Sequence, residues 1–93
     1  RRQQRRDEAA RRERLKPLRQ TVERWEREVI RLETAKALAD QALADPAIYA
    51  EAGKPRLNEQ LRIQARLASE LSAAETAWLE ACEALENAED TTA

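Results

Sequence analysis

Ninety-three residues with 38% charged and 3% aromatic side chains, one Gly and neither Phe nor Met hold too few large apolar groups for a conventional globular core. About two-thirds are Ala, Glu, Lys, Leu or Arg, the bias of a coiled coil or long helix, and only one domain is expected. The single cysteine, Cys82, has no internal disulfide partner, and with no His neither a metal site nor a catalytic triad is expected. No apolar run approaches the roughly 18 residues of a membrane span, and no signal-peptide pattern opens the chain. No membrane partner is therefore expected, and the chain reads as soluble and cytoplasmic. Its RRQQRR start without Met suggests a piece of a longer protein. The net charge of −1 conceals a division between halves: 13 basic and 7 acidic residues up to Lys36, then 4 basic and 11 acidic.

Residues 1–14, RRQQRRDEAARRER, are polar on every side. They read as a basic connector helix, with Asp7 and Arg11, and Glu8 and Arg12, at favourable i,i+4 spacing. Pro17 predicts a kink or restart near Glu13 to Pro17, because proline disturbs a helix interior and suits a first turn. From Leu15 a three-and-four spacing runs Leu15, Leu18, Val22, Trp25, Val29, Leu32, Lys36, Ala39, Leu43, which places helix 1 at 15–44.

The stretch DPAIYAEAGKP, 45–55, breaks the pattern and reads as the tip of a hairpin. Asp45 caps a short turn that begins with Pro46 and ends at Gly53, with Ile48 and Tyr49 folded over the end of the seam. Pro55 biases Lys54 towards an extended backbone and suits the start of helix 2, expected over 56–89 with a tail at 90–93.

Helix 2 gives the spacing Leu57, Leu61, Gln64, Ala68, Leu71, Glu75, Trp78, Cys82, Leu85. Of these 18 seam positions 15 are apolar. The predicted fold is all-α, an antiparallel two-helix coiled-coil hairpin with a short helical turn at its tip. Placing Leu43 beside Leu57 brings Lys36 level with Gln64 as a polar layer that penalises slipped alignments. It also sets Leu32 against Ala68 and Trp25 against Glu75. On this alignment Leu67, Ala74, Ala81 and Ala88 lie on a flank that suits a partner helix or a second copy. The basic end projects beyond helix 2, whose Glu80, Glu83, Glu86, Glu89 and Asp90 lie beside Arg11, Arg12, Arg14 and Arg19.

No convergent pocket or Gly-rich phosphate loop is legible, so no catalytic residue, cofactor site or metal ligand is assigned. Trp25, Trp78 and Cys82 read as packing residues. The functional candidates are cationic: Arg1, Arg2, Arg5, Arg6, Arg11 and Arg12 at the arginine-rich end, with Lys54 and Arg56 at the tip, as contacts to nucleic-acid phosphates.

The order of a basic helix, KPLRQTVERWEREVIRLE, a LADPAIY turn and a closing ETAWLEACEALE resembles the C-terminal coiled-coil domain of ABC-F ATPases, the YheS-like branch above all. The most specific pieces are Pro17 to Arg19, Asp45 to Tyr49 and Ala77 to Glu80. The resemblance implies a parent protein with two ATP-binding cassettes that acts on ribosomes in translation, with ATP and Mg held outside these residues. It implies ribosomal RNA and the parent's own ATPase domains as partners. DNA is the alternative, as in the related Uup-like branch, and a purely structural or protein-interaction hairpin is the third reading.

Overall fold

The computed structural model describes the backbone of residues 1–92 and the side chains of residues 1–91. Helix α1 (Arg2–Ala44) leads through two short 3₁₀ turns, Pro46–Tyr49 and Glu51–Gly53, into helix α2 (Lys54–Thr92). The helices lie side by side as a hairpin 74 Å long and 17 by 14 Å across. The expected all-α hairpin is what the chain forms.

Helix α1 runs unbroken through Pro17, so the expected restart does not occur and the basic residues 2–14 are continuous with the arm. Pro17 supplies no N–H for the Glu13 carbonyl, a defect of about 3 kcal/mol in an isolated helix. Leu15, buried to 6% exposure, and half-buried Leu18 hold the helix to α2 on both sides of the proline. The Arg19 guanidinium reaches back and donates to the Arg12 carbonyl at 3.0 Å, supplying a donor beside the gap.

The seam of α1 is the expected one. Leu15, Leu32 and Ala39 are buried, and Leu18, Val22, Trp25, Val29, Lys36 and Leu43 are half-buried. On α2 the stripe differs. Leu57, Gln64, Leu71, Trp78 and Leu85 are half-buried as expected, but Leu61 is 46% exposed and Ala68 and Glu75 face solvent. Their places are taken by Leu67, Ala74 and Ala81, buried at 5%, 3% and 8%, with Gln60 and Ala88 half-buried. Both stripes share every seventh residue. The one adopted turns Glu75 to water, where burying it would strand an unpaired carboxylate, and sets small alanines against the larger side chains of α1. Leu67, Ala74, Ala81 and Ala88 are therefore the seam itself, and no flank remains there for a partner.

The alignment moves with the stripe. Leu32 packs with Leu67 and Ala74 on either side of half-buried Leu71. Asp40 is bonded to Gln64, and Leu15 and Leu18 share a groove with Asn87, Ala88 and Thr91. Leu43 consequently comes level with Gln60 and Leu32 with Leu71, about half a heptad from the expected pairs. The antiparallel rule that one helix's a position meets the other's d position still holds.

The tip closes through local bonds. An Asp45 carboxylate oxygen accepts the Ala47 N–H at 3.0 Å, and the Ile48 N–H donates to the Asp45 carbonyl at 3.1 Å, which turns Ile48 inwards to 2% exposure. Tyr49 does not cover the seam. Its ring is 57% exposed, and its hydroxyl donates to the Leu43 carbonyl at 2.6 Å, satisfying one of the acceptors left open where α1 ends. Gly53 is required by space: a Cβ there would stand 2.5 Å from the Ile48 carbonyl oxygen. Lys54 is not extended as its proline neighbour led us to expect. It sits at φ −53°, ψ −45° with its N–H bonded to the Glu51 carbonyl, so closing the second turn outweighs the crowding by Pro55.

Candidate nucleic-acid interface

The seam of α1 starts at Leu15. Continued backwards at heptad spacing it falls on Arg11, Glu8, Gln4 and Arg1, none of which packs as a core side chain. Every residue from Arg1 to Arg14 is exposed. The last described side chains of α2 reach the level of Arg12, where Glu89 joins Glu8, Arg11, Arg12, Leu15 and Arg19 around an open cleft of about 480 Å³. Residues 1–7 thus stand as a single helix about 10 Å long that shares no cleft with α2 among the described residues.

Within this overhang Arg2 and Arg6, four residues apart, lie on the side turned away from α2, while Arg5 flanks the line of the seam and Arg1 falls on it; all four are exposed. Asp7 lies on the opposite side, where its carboxylate accepts from the Gln3 amide at 3.0 Å. Asp7 thus stands apart from Arg2 and Arg6, whereas Glu8 lies beside Arg5 and Arg12 at i,i+3 and i,i+4 spacing.

Arg11 and Arg12 are in a different setting. Both line the cleft with Glu89, and Arg11 and Glu89 are each already engaged. Of the acidic residues expected beside the arginines, Glu89 is the one brought to them. Glu80, Glu83, Glu86 and Asp90 are exposed, and their spacing from Ala81, Leu85 and Ala88 puts them on the outer side of α2. Arg14 occupies the other groove, with Asn87, Ala88 and Thr91.

Lys54 and Arg56 lie at the far end of the 74 Å rod and cannot share a compact ligand with the overhang. The Lys54 ammonium is 3.0 Å from a Glu51 carboxylate oxygen, and Arg56 is exposed. One partly neutralised cation beside one exposed arginine gives the tip a much weaker positive field than the overhang.

The tryptophans are half-buried. The Arg24 guanidinium lies 4.9 Å from the centre of the Trp25 ring, and the Trp78 indole N–H is buried without an acceptor, at a cost of about 1–3 kcal/mol. Neither ring is presented as a platform for a stacked base. Cys82 lies just off the seam, half-buried.

Asp40 was absent from the sequence-based reading. Lys36 and Gln64 meet through it: the Lys36 ammonium donates to one carboxylate oxygen at 3.0 Å and the Gln64 amide to the other at 2.8 Å. The i,i+4 spacing from Lys36 to Asp40 was the available signal. The Gln64 bond first, and the Lys36 bond after it, hold the Asp40 carboxyl below its ordinary value of 3.8. A carboxyl depressed in the folded state stabilises the fold above its ordinary pKa, and that contribution is lost as the pH falls below it. The melting temperature is therefore expected to fall more steeply below about pH 4 in the native chain than in Asp40→Asn. Parallel melting curves from pH 6 to pH 2 would show that this layer does not couple the arms.

The architecture defines an extended two-helix coiled-coil arm with a basic end, and no helix among the described residues is long and apolar enough to cross a membrane. Compared with models of protein families, with curated proteins and with solved structures, the chain matches none of them.

Proposed function

We propose that this chain is the accessory coiled-coil domain of an ABC-F ATPase acting in translation, and that the arginine-rich end of α1 contacts ribosomal RNA. The ABC-F attribution rests on the resemblance of the Pro17 to Arg19, Asp45 to Tyr49 and Ala77 to Glu80 segments. The nucleic-acid reading rests on one observation: Arg1, Arg2, Arg5 and Arg6 stand exposed on an overhanging helix that contributes nothing to the core. Guanidinium groups that no fold contact requires are suited to phosphates, which they bind through paired N–H donors. The acidic outer side of α2 repels phosphates, so the contact belongs to α1.

Charge reversal tests this. Replacing Arg1, Arg2, Arg5 and Arg6 together by Glu is expected to leave helicity and melting nearly unchanged and to weaken RNA binding. The dependence of log affinity on log salt should become shallower by about three units, one for each lost phosphate contact or slightly less. Binding insensitive to both salt and reversal would favour a protein-docking hairpin. A preference for branched DNA over RNA in competition would favour the DNA reading.

A further inference from the structure

Helix α2 carries a second apolar stripe that the seam does not use. Leu61 is 46% and Leu79 60% exposed, and Ala65, Ala68 and Ser72 between them also face solvent. At helical spacing these residues fall on one line, about 110° round α2 from the seam. Lys54 closes the line at one end and Glu86 at the other, both exposed. The line matches itself in reverse: Lys54, Leu61 and Ala68 recur every seven residues going forward, and Glu86, Leu79 and Ser72 every seven going back. The charges of α2 follow the same division. Residues 54–72 hold four cations and two carboxylates, and residues 73–92 hold six carboxylates and no cation.

We propose that this stripe is a homodimer surface, on which α2 of a second copy packs antiparallel about a two-fold axis level with residue 70. Each contact is then made twice. Leu61 meets Leu79 of the second copy, Ala68 meets Ser72 and Lys54 meets Glu86, with Arg62 and Glu80 level along the outer edge. The two heptad positions that form the stripe face each other in every layer, as a and d positions do in antiparallel coiled coils. A parallel pairing would set like-charged halves side by side, whereas the antiparallel one sets basic against acidic. Lys54 and Arg62 are tied to Glu51 and Glu59 at 3.0 and 2.8 Å, exposed pairs that exchange at little cost. Because the stripe lies more than a right angle from the seam, the two α1 helices diverge, and their Glu26, Glu33 and Asp40 do not confront one another. Glu75, level with Ala65, opens into the space between them. The arginine-rich overhangs then point away from opposite ends of a longer rod, and the dimer is independent of what they bind.

The test is the mass of the full chain in solution, by sedimentation equilibrium at low and high salt. A strip one helix wide makes a small interface, so the dimer is expected to form with a dissociation constant on the order of 10–100 μM and to weaken as salt screens its end pairs. Leu61→Gln/Leu79→Gln should associate at least ~10-fold more weakly. Its helicity by circular dichroism should be unchanged, since glutamine forms helix well and both positions are exposed. Lys54→Glu should weaken the dimer ~5-fold at low salt, and Lys54→Glu/Glu86→Lys should restore it. Asn58→Cys, oxidised in the presence of the native Cys82, should give a dimer linked from position 58 of one copy to Cys82 of the other. Along one helix these positions are ~36 Å apart, so a bond that needs Cα atoms within about 7 Å forms only between copies. A monomer up to about 500 μM at low salt, a double glutamine variant that dimerises as the native chain does, or an exchanged pair that restores nothing would overturn the dimer surface. Disulfides joining like positions, 58 to 58 or 82 to 82, would overturn the antiparallel arrangement.

Discussion

Replacing Leu32 by alanine will lower the unfolding free energy by about 2–4 kcal/mol, and the same change at Leu61 will cost well under 1 kcal/mol. Leu32 is 2% exposed and packs with Leu67 and Ala74, with Trp25, Val29, Ala35, Ile63 and Leu71 around it. Helix backbones on both sides prevent its site from collapsing, so truncation removes transfer free energy and leaves a cavity. Leu61 is 46% exposed and loses only part of a surface contact. For a chain of this size the Leu32 change corresponds to a fall of on the order of 10–30 °C in melting temperature. A narrow hairpin has little stability to spare, so Leu32→Ala is expected to be partly unfolded at ambient temperature. Similar losses at both positions, measured by thermal or urea melts, would mean that α2 presents a different face.

Glutamate at position 74 will be more damaging still, whereas alanine at position 75 will be nearly neutral. Ala74 is 3% exposed, within the cluster around Leu32, and a carboxylate there would have no paired cation. Either it remains charged and forces the helices apart, or it is protonated at neutral pH and still overfills the seam. The expected cost is about 3–5 kcal/mol. Glu75 is exposed, so trading it for a better helix former changes stability by a few tenths of a kcal/mol at most. Reversed outcomes at these adjacent positions would restore the stripe through Leu61, Ala68 and Glu75.

These contrasts show what the sequence settles by itself. The α1 stripe was legible because Leu, Val and Trp alternate with charged neighbours and leave one continuous choice. The α2 stripe was not, because alanine is apolar enough for the seam and small enough for the surface. With Leu57, Gln64, Leu71, Trp78 and Leu85 common to both alternatives, Ala74 against Glu75 was the most informative pair. Each stripe holds seven apolar residues among nine positions from Leu57 to Leu85, so an apolar count does not separate them, and the expected alignment followed the one that would bury Glu75. At the tip the capping role of Asp45 was readable from local chemistry. The hydroxyl of Tyr49 reaching the Leu43 carbonyl was not, since it depends on how the turn closes in space.

The candidate interface was legible in a similar, partial way. Composition alone picked out the arginine-rich end, and that end stands clear of the core because polar residues at four consecutive seam positions leave α2 nothing to grip. Grouping Arg11 and Arg12 with Arg1, Arg2, Arg5 and Arg6 was too coarse, since the former lie in a cleft with Glu89 and the latter do not. Their affinity for phosphate must be gained in competition with that carboxylate.

Every placement of charge depends on how the arms are aligned, and one cross-linking measurement tests that alignment directly. In a Cys82→Ala background, cysteines at Val29 and Ala74 are expected to lie level across the seam and to oxidise readily to an internal disulfide, which requires Cα atoms within about 7 Å. Cysteines at Val29 and Leu71, level only if Leu43 stood beside Leu57, are expected to oxidise slowly. Efficient cross-linking of the second pair with failure of the first would contradict the alignment, and with it the place of Glu89 beside Arg11 and Arg12.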